Sequence, residues 1–293
     1  MMASPDHCLG VVRVTPIAFV LIVFAISLAA GLLGALVGLG GGIIVVPALT
    51  LAMGIDIRYA IGASIVSVIA TSSGAAASYV REHMTNLRAA MFLELATTTG
   101  AVSGAYLAGI IGGRWLYILF GVLIGYSAFA MMKKPRDASD RVPPDPLADR
   151  LRLHGSYFDP ATGQTHDYRV GRSKFGLFLM YLAGAVSGLL GIGSGALKVP
   201  AMDLAMGIPM KVSTATSNFM IGVTAAASAG VYFSRGDIDP FVAGPVAAGV
   251  VLGAFAGSRL LTRISARELQ LLFVVVLIAI ALQMLYHGVF GNV

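Results

Sequence analysis

One stretch of the chain occurs twice, and it limits the fold more than any other feature. Residues 31–54 read GLLGALVGLGGGIIVVPALTLAMG and residues 184–207 read GAVSGLLGIGSGALKVPAMDLAMG, identical at 12 of 24 positions with an offset of 153. Each copy is an apolar run, a glycine cluster, a proline and a second apolar run. Glycine permits helix-breaking conformations, and proline suits the first turn of a helix. The pattern predicts two interrupted helices, with the proline starting the second part of each.

The composition indicates that both interrupted helices lie in a membrane. Hydrophobic residues make up 57% of the chain, only 12% of residues are charged, and the mean hydropathy is +0.84. Irregular backbone inside a bilayer is tolerated where it is buried in protein or lines a cavity, and paired breaks in two halves indicate a transporter's binding site. Much of the net charge of +6 lies in one loop, where it encodes orientation, so nucleic acid is not an expected partner. The single cysteine, Cys8, excludes an internal disulfide.

The duplication extends through most of the chain. Further matches at the same offset are Ser64 with Ser217, Tyr79 with Tyr232, Gly100 with Gly253, and Gly104 with Gly257. We predict an all-α polytopic membrane protein with two homologous transmembrane halves, residues 1–132 and 175–293. A polar linker over 133–174 joins them and is expected to be cytoplasmic, because it is rich in lysine and arginine. Its second part, SYFDPATGQTHDYRV, alternates around a turn and predicts a small β-hairpin.

The topology depends on whether each broken segment crosses the membrane. A re-entrant hairpin gives three crossings per half and an inverted repeat, whereas a full crossing gives four and a parallel repeat. The apolar runs after the breaks, at about 43–54 and 196–207, are too short to span a bilayer. The sequence therefore favours the inverted repeat with re-entrant helices.

Lys198 is the residue that most strongly indicates function. It lies in the second copy, where the first copy has Val45, and a cation at membrane depth is costly and by default functional. An ammonium beside the start of a helix favours an anion. The alternatives are that Lys198 reaches the membrane interface or pairs with Asp203. The predicted substrate-binding residues are Gly40, Gly41, Gly42, Gly193, Ser194, Gly195, Lys198, Ser64, Ser217 and Asn218.

Two carboxylates are candidates for coupling transport to protons, Glu94 and Asp203. Glu94 could instead lie at headgroup level and pair with Arg88, which is the interpretation we favour. Tyr79 and Tyr232 are either part of an aromatic belt at the membrane interface, which we favour, or close one end of the transport pathway.

The motifs GLGGGIIVVPAL and GIGSGALKVPAM resemble the paired glycine-proline signatures of the sulfite exporter (TauE/SafE) family of membrane permeases. The resemblance covers the length, the duplication, the linker and the terminal helices. It implies export of sulfite, sulfonates or related sulfur oxyanions across the inner membrane of bacteria. Lys198 and Ser194 have no counterpart in the first copy, which predicts an asymmetric site.

The sequence thus predicts a secondary transporter that exports a small sulfur-containing anion, sulfite or an organosulfonate, through a midplane site. Movement of one half against the other would expose this site to each side in turn. The alternatives are an anion channel for the same substrates and a membrane-embedded enzyme. No metal-ligand spacing, phosphate-binding loop or dinucleotide fingerprint is visible, so we expect no enzymatic activity, cofactor or metal. The expected partners are the anion and membrane lipid, while the substrate, coupling ion and oligomeric state stay open.

Overall fold

The computed structural model describes residues 15–37, 42–81, 85–132, 144–159, 164–193, 195–260 and 266–290, and these are mostly helical. The first half contains α1 (Pro16–Val37), α2 (Gly42–Pro47) with the π-helical turn Ala48–Ala52, α3 (Ile57–Arg81), α4 (Leu87–Ile110) and α5 (Gly113–Met132). The linker contains α6 (Pro146–Arg150), β1 (Gly155–Asp159) and β2 (Gln164–Tyr168). The second half contains α7 (Ser173–Leu190), α8 (Gly195–Pro200) with the π-helical turn Ala201–Ala205, α9 (Met210–Arg235), α10 (Pro240–Leu260) and α11 (Ala266–Phe290).

Helix α7 is interrupted where the sequence predicts a break. It ends at Leu190, and Gly191 and Gly193 follow with φ angles of +66° and +72°, a region that favours glycine. A new helix, α8, then begins at Gly195. The first copy has the same arrangement of α1 followed by α2, and residues 38–41 between them lie outside the described residues.

The prolines do not start the helices that follow the breaks, so that part of the sequence prediction is wrong. Pro47 and Pro200 are the last of the six residues of α2 and α8. Beyond the first turn, a proline cannot donate to the carbonyl group four residues earlier, and its ring crowds that group. Both helices accordingly widen into a π-helical turn directly after the proline.

The helices pack mainly against partners from the other half. α1 packs on α10 and α4 packs on α7, and the offset of 153 residues converts one pair into the other. α3 packs on α9 and α5 packs on α11, so these helices meet their own equivalents. In the α1–α10 contact the backbones touch, since a Cβ atom at Gly249 would lie 2.6 Å from the carbonyl oxygen of Phe24. Such close approach through small residues is how helices associate in lipid.

The helices that meet their own equivalents run antiparallel. At one end of the α3–α9 contact Gly62 lies against Asp237, and further along Ser72 lies against Gly222. As the residue number rises along α3, it therefore falls along α9. The α5–α11 contact has the same sense, because Gly121 packs on Leu285 while Ile118, earlier on α5, packs on Gly288, later on α11.

α4 and α9 run parallel and in register. Hydrogen bonds join residues that are 130 positions apart in each case: Asn86 with Thr216, Glu94 with Thr224, and Ala105 with Arg235. This register places the middle of α9 beside Glu94, close to the second break.

The linker packs on the end of the bundle where α4 begins. β1 and β2 form a two-stranded antiparallel sheet in the segment for which the sequence predicts a hairpin. The Asn86 side chain, which caps α4, donates to the Leu153 carbonyl and to the Tyr168 hydroxyl, both at 2.8 Å. Burial raises the pKa of Tyr168, although the bond to Asn86 works in the opposite direction. The linker is thus docked on α4 by hydrogen bonds.

Candidate functional site

The two interrupted helices meet at the centre of the bundle. The hydroxyl of Ser64 on α3 donates to the carbonyl oxygen of Gly191 at 2.8 Å, and the carbonyl oxygen of Gly42 lies 3.4 Å from it. Ser64 therefore connects the start of α2 in the first half with the end of α7 in the second. All three residues are buried.

Gly42 allows this meeting because the space around it is already filled. A Cβ atom there would lie 2.8 Å from the Ser64 hydroxyl oxygen and 3.0 Å from the Gly191 carbonyl oxygen, closer than real Cβ atoms pack. The conserved spacing of the glycines in the two copies thus lets the two backbones approach one another across the interface between the halves.

Lys198 lies on α8, directly after the second break, and is completely buried at 0% exposure. Its Nζ atom donates to the Thr224 hydroxyl oxygen on α9 at 2.6 Å. The sequence raises two alternatives for Lys198. Its complete burial in the protein argues against the first, in which the side chain reaches the membrane interface. Within the described residues its hydrogen-bond partner is Thr224, which argues against the second, a pair with Asp203.

Thr224 connects Lys198 to Glu94 on α4. Its hydroxyl lies 2.7 Å from Glu94 Oε1 and 2.9 Å from the carbonyl oxygen of Met220, so either oxygen can accept its hydrogen. Thr98 donates to the same Glu94 oxygen at 3.1 Å. Within the described part of the chain, Glu94 Oε2 is buried and has no hydrogen-bond partner.

The favoured expectation that Glu94 pairs with Arg88 at headgroup level is therefore wrong. The parallel register of α4 and α9 turns the carboxylate towards the bundle interior, where Thr224 and Thr98 solvate it. The three groups from Lys198, Thr224 and Glu94, here called the relay, make a buried pair of opposite charges bridged by a hydroxyl.

The repeat-related positions carry no equivalent of the relay's charges. At an offset of 153 residues, Val45 stands for Lys198, Ala247 for Glu94 and Thr71 for Thr224. The Thr71 hydroxyl bonds only within its own helix among the described residues, to Ser67 and Val68 carbonyl oxygens at 3.0 and 3.2 Å. The relay's charges thus occur in one of the two repeat-related sets of positions.

The other predicted site residues lie around the break or outside the described residues. The Ser217 hydroxyl is buried near Gly195 and has no hydrogen-bond partner among the described residues. Asn218 is partly buried on the same helix, and Asp203 is buried in the π-helical turn after α8. The amide of Gly195 donates to the Gly193 carbonyl, so an anion would compete with that oxygen. Outside the described residues lie Gly40, Gly41 and Ser194.

Tyr232 is completely buried, so the expectation that it belongs to an aromatic belt is wrong. Its hydroxyl lies 2.9 Å from the Gly188 carbonyl oxygen and 3.1 Å from the Leu189 carbonyl oxygen, at the broken end of α7. The last carbonyl groups of a helix have no partners within the helix, and Tyr232 satisfies them from α9. The Arg235 guanidinium lies 4.5 Å from the centre of the Tyr232 ring.

A comparison with known protein families assigns this architecture. Residues 23–284 match the family described as sulfite exporter TauE/SafE. The chain belongs to the TauE/SafE family. This agrees with the resemblance carried by the two glycine-proline motifs.

Proteins named as probable membrane transporters match the chain over nearly their whole length. The chain is 26% identical over 280 residues to "Probable membrane transporter protein YunE" of Bacillus subtilis (strain 168), covering 93% of this chain and 99% of that protein. It is 27% identical over 266 residues to a "Probable membrane transporter protein" of Xylella fastidiosa (strain 9a5c), covering 90% and 92%. It is 28% identical over 266 residues to "Probable membrane transporter protein ORF9" of Sinorhizobium sp, covering 89% and 90%. No solved structure matches the chain.

Membership of the TauE/SafE family implies a multi-pass membrane protein that transports a substrate and is not an enzyme. Within the described residues, α7 is long and apolar enough to cross a bilayer, with a mean hydropathy of 1.5. Parts of six further helical segments give shorter apolar runs of 10–17 residues. In the described ranges no group of three His, Cys, Asp or Glu side chains could hold a metal ion. The relay is thus a charged site inside a transporter's helical bundle.

Proposed function

We propose that this TauE/SafE protein is a secondary transporter that exports a small sulfur-containing anion, sulfite or an organosulfonate, through a site where the two helix breaks meet. The observation that carries the proposal is the completely buried ammonium of Lys198 beside the second break. A charge at membrane depth is retained where a substrate or ion uses it. The matching family is described as a sulfite exporter, which supports the choice of a sulfur anion.

The Lys198 ammonium is the group proposed to bind the anion. It has three N–H donors and donates one hydrogen bond to Thr224. The buried Ser217 hydroxyl, which has no partner within the described residues, is the second proposed donor, with Asn218 one residue further along α9. The backbone and hydroxyl groups proposed to complete the site belong to Gly40, Gly41, Gly42, Gly193, Ser194, Gly195 and Ser64. We propose a compact oxyanion as the bound group, because the closely packed backbones at the two breaks leave room only for a small one.

The proposed membrane arrangement is an inverted repeat with three crossings in each half. An axis along the membrane normal would leave equivalent helices parallel, whereas an axis in the membrane plane reverses them. The antiparallel contacts of α3 with α9 and of α5 with α11 support the second arrangement. We assign 1–132 and 175–293 to the two halves, and place the basic linker 133–174 in the cytoplasm of a bacterium, with the bundle in the inner membrane.

Titration calorimetry of the detergent-purified protein with sulfite, thiosulfate, sulfoacetate and sulfate tests the site. We expect Lys198→Ala to weaken binding of the preferred anion by roughly 10–100-fold, since a hydrogen bond to a charged group contributes about 1.5–3 kcal/mol. Lys211→Ala is the matched control, because Lys211 is exposed at the start of α9 and its loss changes the net charge equally. Unchanged affinity in Lys198→Ala would remove the lysine from the site.

Transport in proteoliposomes distinguishes a carrier from an anion channel. A carrier saturates with substrate and shows counterflow, in which unlabelled anion on one side drives accumulation of labelled anion from the other. Conductance in planar bilayers without saturation at low substrate concentration would identify a channel and overturn the proposal of a carrier.

A further inference from the structure

We propose that Glu94 carries one proton for each anion bound, because the Lys198 ammonium exchanges the Glu94 carboxylate for the anion as its counter-charge. The inference rests on the proposed anion site and adds a co-substrate, H⁺, and the atom that holds it. It concerns the relay, whose three members come from α8, α9 and α4.

The hydrogen bonds of the relay indicate which oxygen takes the proton. Glu94 Oε1 lies within hydrogen-bond distance of two hydroxyl groups, Thr224 at 2.7 Å and Thr98 at 3.1 Å. Glu94 Oε2 is buried and, within the described residues, accepts no hydrogen bond. A proton can therefore be added at Oε2 without breaking a contact of Oε1.

Charge balance gives the reason for proton uptake. Without substrate, one ammonium and one carboxylate share the bridging Thr224 hydroxyl, and the buried site is neutral. A singly charged anion on Lys198 would leave one uncompensated negative charge in a region of low dielectric constant, where unpaired ions are strongly disfavoured. Adding H⁺ from water to Glu94 Oε2 forms one O–H bond and restores neutrality. The new O–H group is a donor that can face the bound anion.

A comparison of the titratable groups around Lys198 selects Glu94 as the carboxyl group that we propose is coupled to it. The other titratable side chains on the elements around it are Arg88 and Tyr106 on α4, Lys174 and Tyr181 on α7, Asp203 after α8, and Lys211, Tyr232 and Arg235 on α9. Of the described carboxylates, Glu94 is the one that shares a hydrogen-bond partner with Lys198. The repeat-related positions hold Val45 in the first half and Ala247 in the second, so each chain has one relay and one proton per singly charged anion.

Calorimetry in two buffers with different ionisation enthalpies measures the proton count. Methanesulfonate is the probe, since it is a singly charged anion whose charge does not change between pH 6 and pH 8.5. We expect the wild-type protein to take up about one proton per methanesulfonate, and its apparent Kd to rise as the pH is raised, because binding is linked to proton uptake. Glu94→Gln is expected to bind without proton uptake and with a Kd independent of pH. Asp203→Asn is the matched control, which keeps the wild-type proton count.

Infrared difference spectra provide a second measurement. Anion binding should produce the band of a protonated carboxyl group in the wild-type protein, and Glu94→Gln should lack it. Where Glu94→Gln does not fold, Glu94→Asp keeps a carboxyl group and must shift that band. Anion binding by the wild-type protein without proton uptake would overturn this inference and leave the anion site standing. Loss of proton uptake in Asp203→Asn alone would assign the proton to Asp203. Failure of sulfite, thiosulfate, sulfoacetate and methanesulfonate to bind would overturn the proposed function itself.

Discussion

Replacing Thr224 by valine removes the hydroxyl group that bridges the two buried charges and changes little else in shape. Two hydrogen bonds to charged partners are lost, at 2.6 Å to Lys198 Nζ and at 2.7 Å to Glu94 Oε1. Each such bond contributes about 1.5–3 kcal/mol, and the completely buried Lys198 ammonium is left without that partner once the hydroxyl is gone. We therefore expect Thr224→Val to lower the free energy of unfolding by about 3 kcal/mol at least.

Thr71→Val is the control for this change. Thr71 occupies the equivalent position in α3, and its hydroxyl bonds to carbonyl oxygens of its own helix, Ser67 and Val68. Such bonds back to the helix contribute little, so its replacement should change stability by about 0.5 kcal/mol or less.

Thermal unfolding in detergent, followed by fluorescence or scattering, compares the two variants without any substrate. A loss of about 3 kcal/mol corresponds to an apparent Tm lowered by roughly 6–12 °C in a chain of this size. Thr71→Val should stay within about 2 °C of the wild type. Equal losses in the two variants would mean that the bridge across Thr224 contributes nothing special, and the reasoning about the relay would fail with it.

Two further predictions concern packing and the linker. Gly249→Ala puts a methyl group 2.6 Å from the Phe24 carbonyl oxygen, so it should destabilise the protein by about 1–3 kcal/mol. Gly244→Ala is the control, because a Cβ atom there meets no atom of a neighbouring helix within 4 Å and should leave stability unchanged. Thermal unfolding of both variants measures the difference. Burial raises the pKa of Asp145, but amide hydrogen bonds from Ser173 and the start of α6 outweigh it and hold the pKa below its usual 3.8. Because the pKa of Asp145 is lower in the folded state, its ionisation stabilises the folded protein above pH 3.8. This contribution to stability is lost as the pH falls through the folded-state pKa. Asp145→Asn should therefore be less stable than the wild type at pH 7, with the difference shrinking below pH 3.8 in unfolding curves.

Much of the helical layout could be predicted because it depends on local patterns. The glycine cluster and the end of an apolar run predicted the break after α7, and Gly191 and Gly193 adopt the φ angles that glycine permits. The position of the proline within its helix could not be predicted, because the flanking residues are the same whether a proline lies in the first turn or at the end of a short helix. Only the geometry shows that α8 begins five residues before Pro200.

The relay could be predicted only in part because it depends on which helices are neighbours. Lys198 stands out in its sequence as a charge among apolar residues, whereas Thr224 looks like any helix-packing threonine. Glu94 and Thr224 are 130 residues apart and meet because α4 and α9 run parallel in that register. No local pattern specifies a register between distant helices. The recurrence of threonine at Thr71 and Thr224 is the one sequence signal that could have drawn attention to it.

The exchange of partners between the halves has a consequence for how the chain is made. The glycine faces of α1 and α4 are covered by α10 and α7, which leave the ribosome after the linker. α1 and α4 are therefore inserted into the bilayer before the helices that cover their glycine faces have been synthesised. A chain that stops in the linker lacks both covering helices, so neither α1 nor α4 reaches its final partner, and biogenesis is completed only from the carboxyl-terminal side.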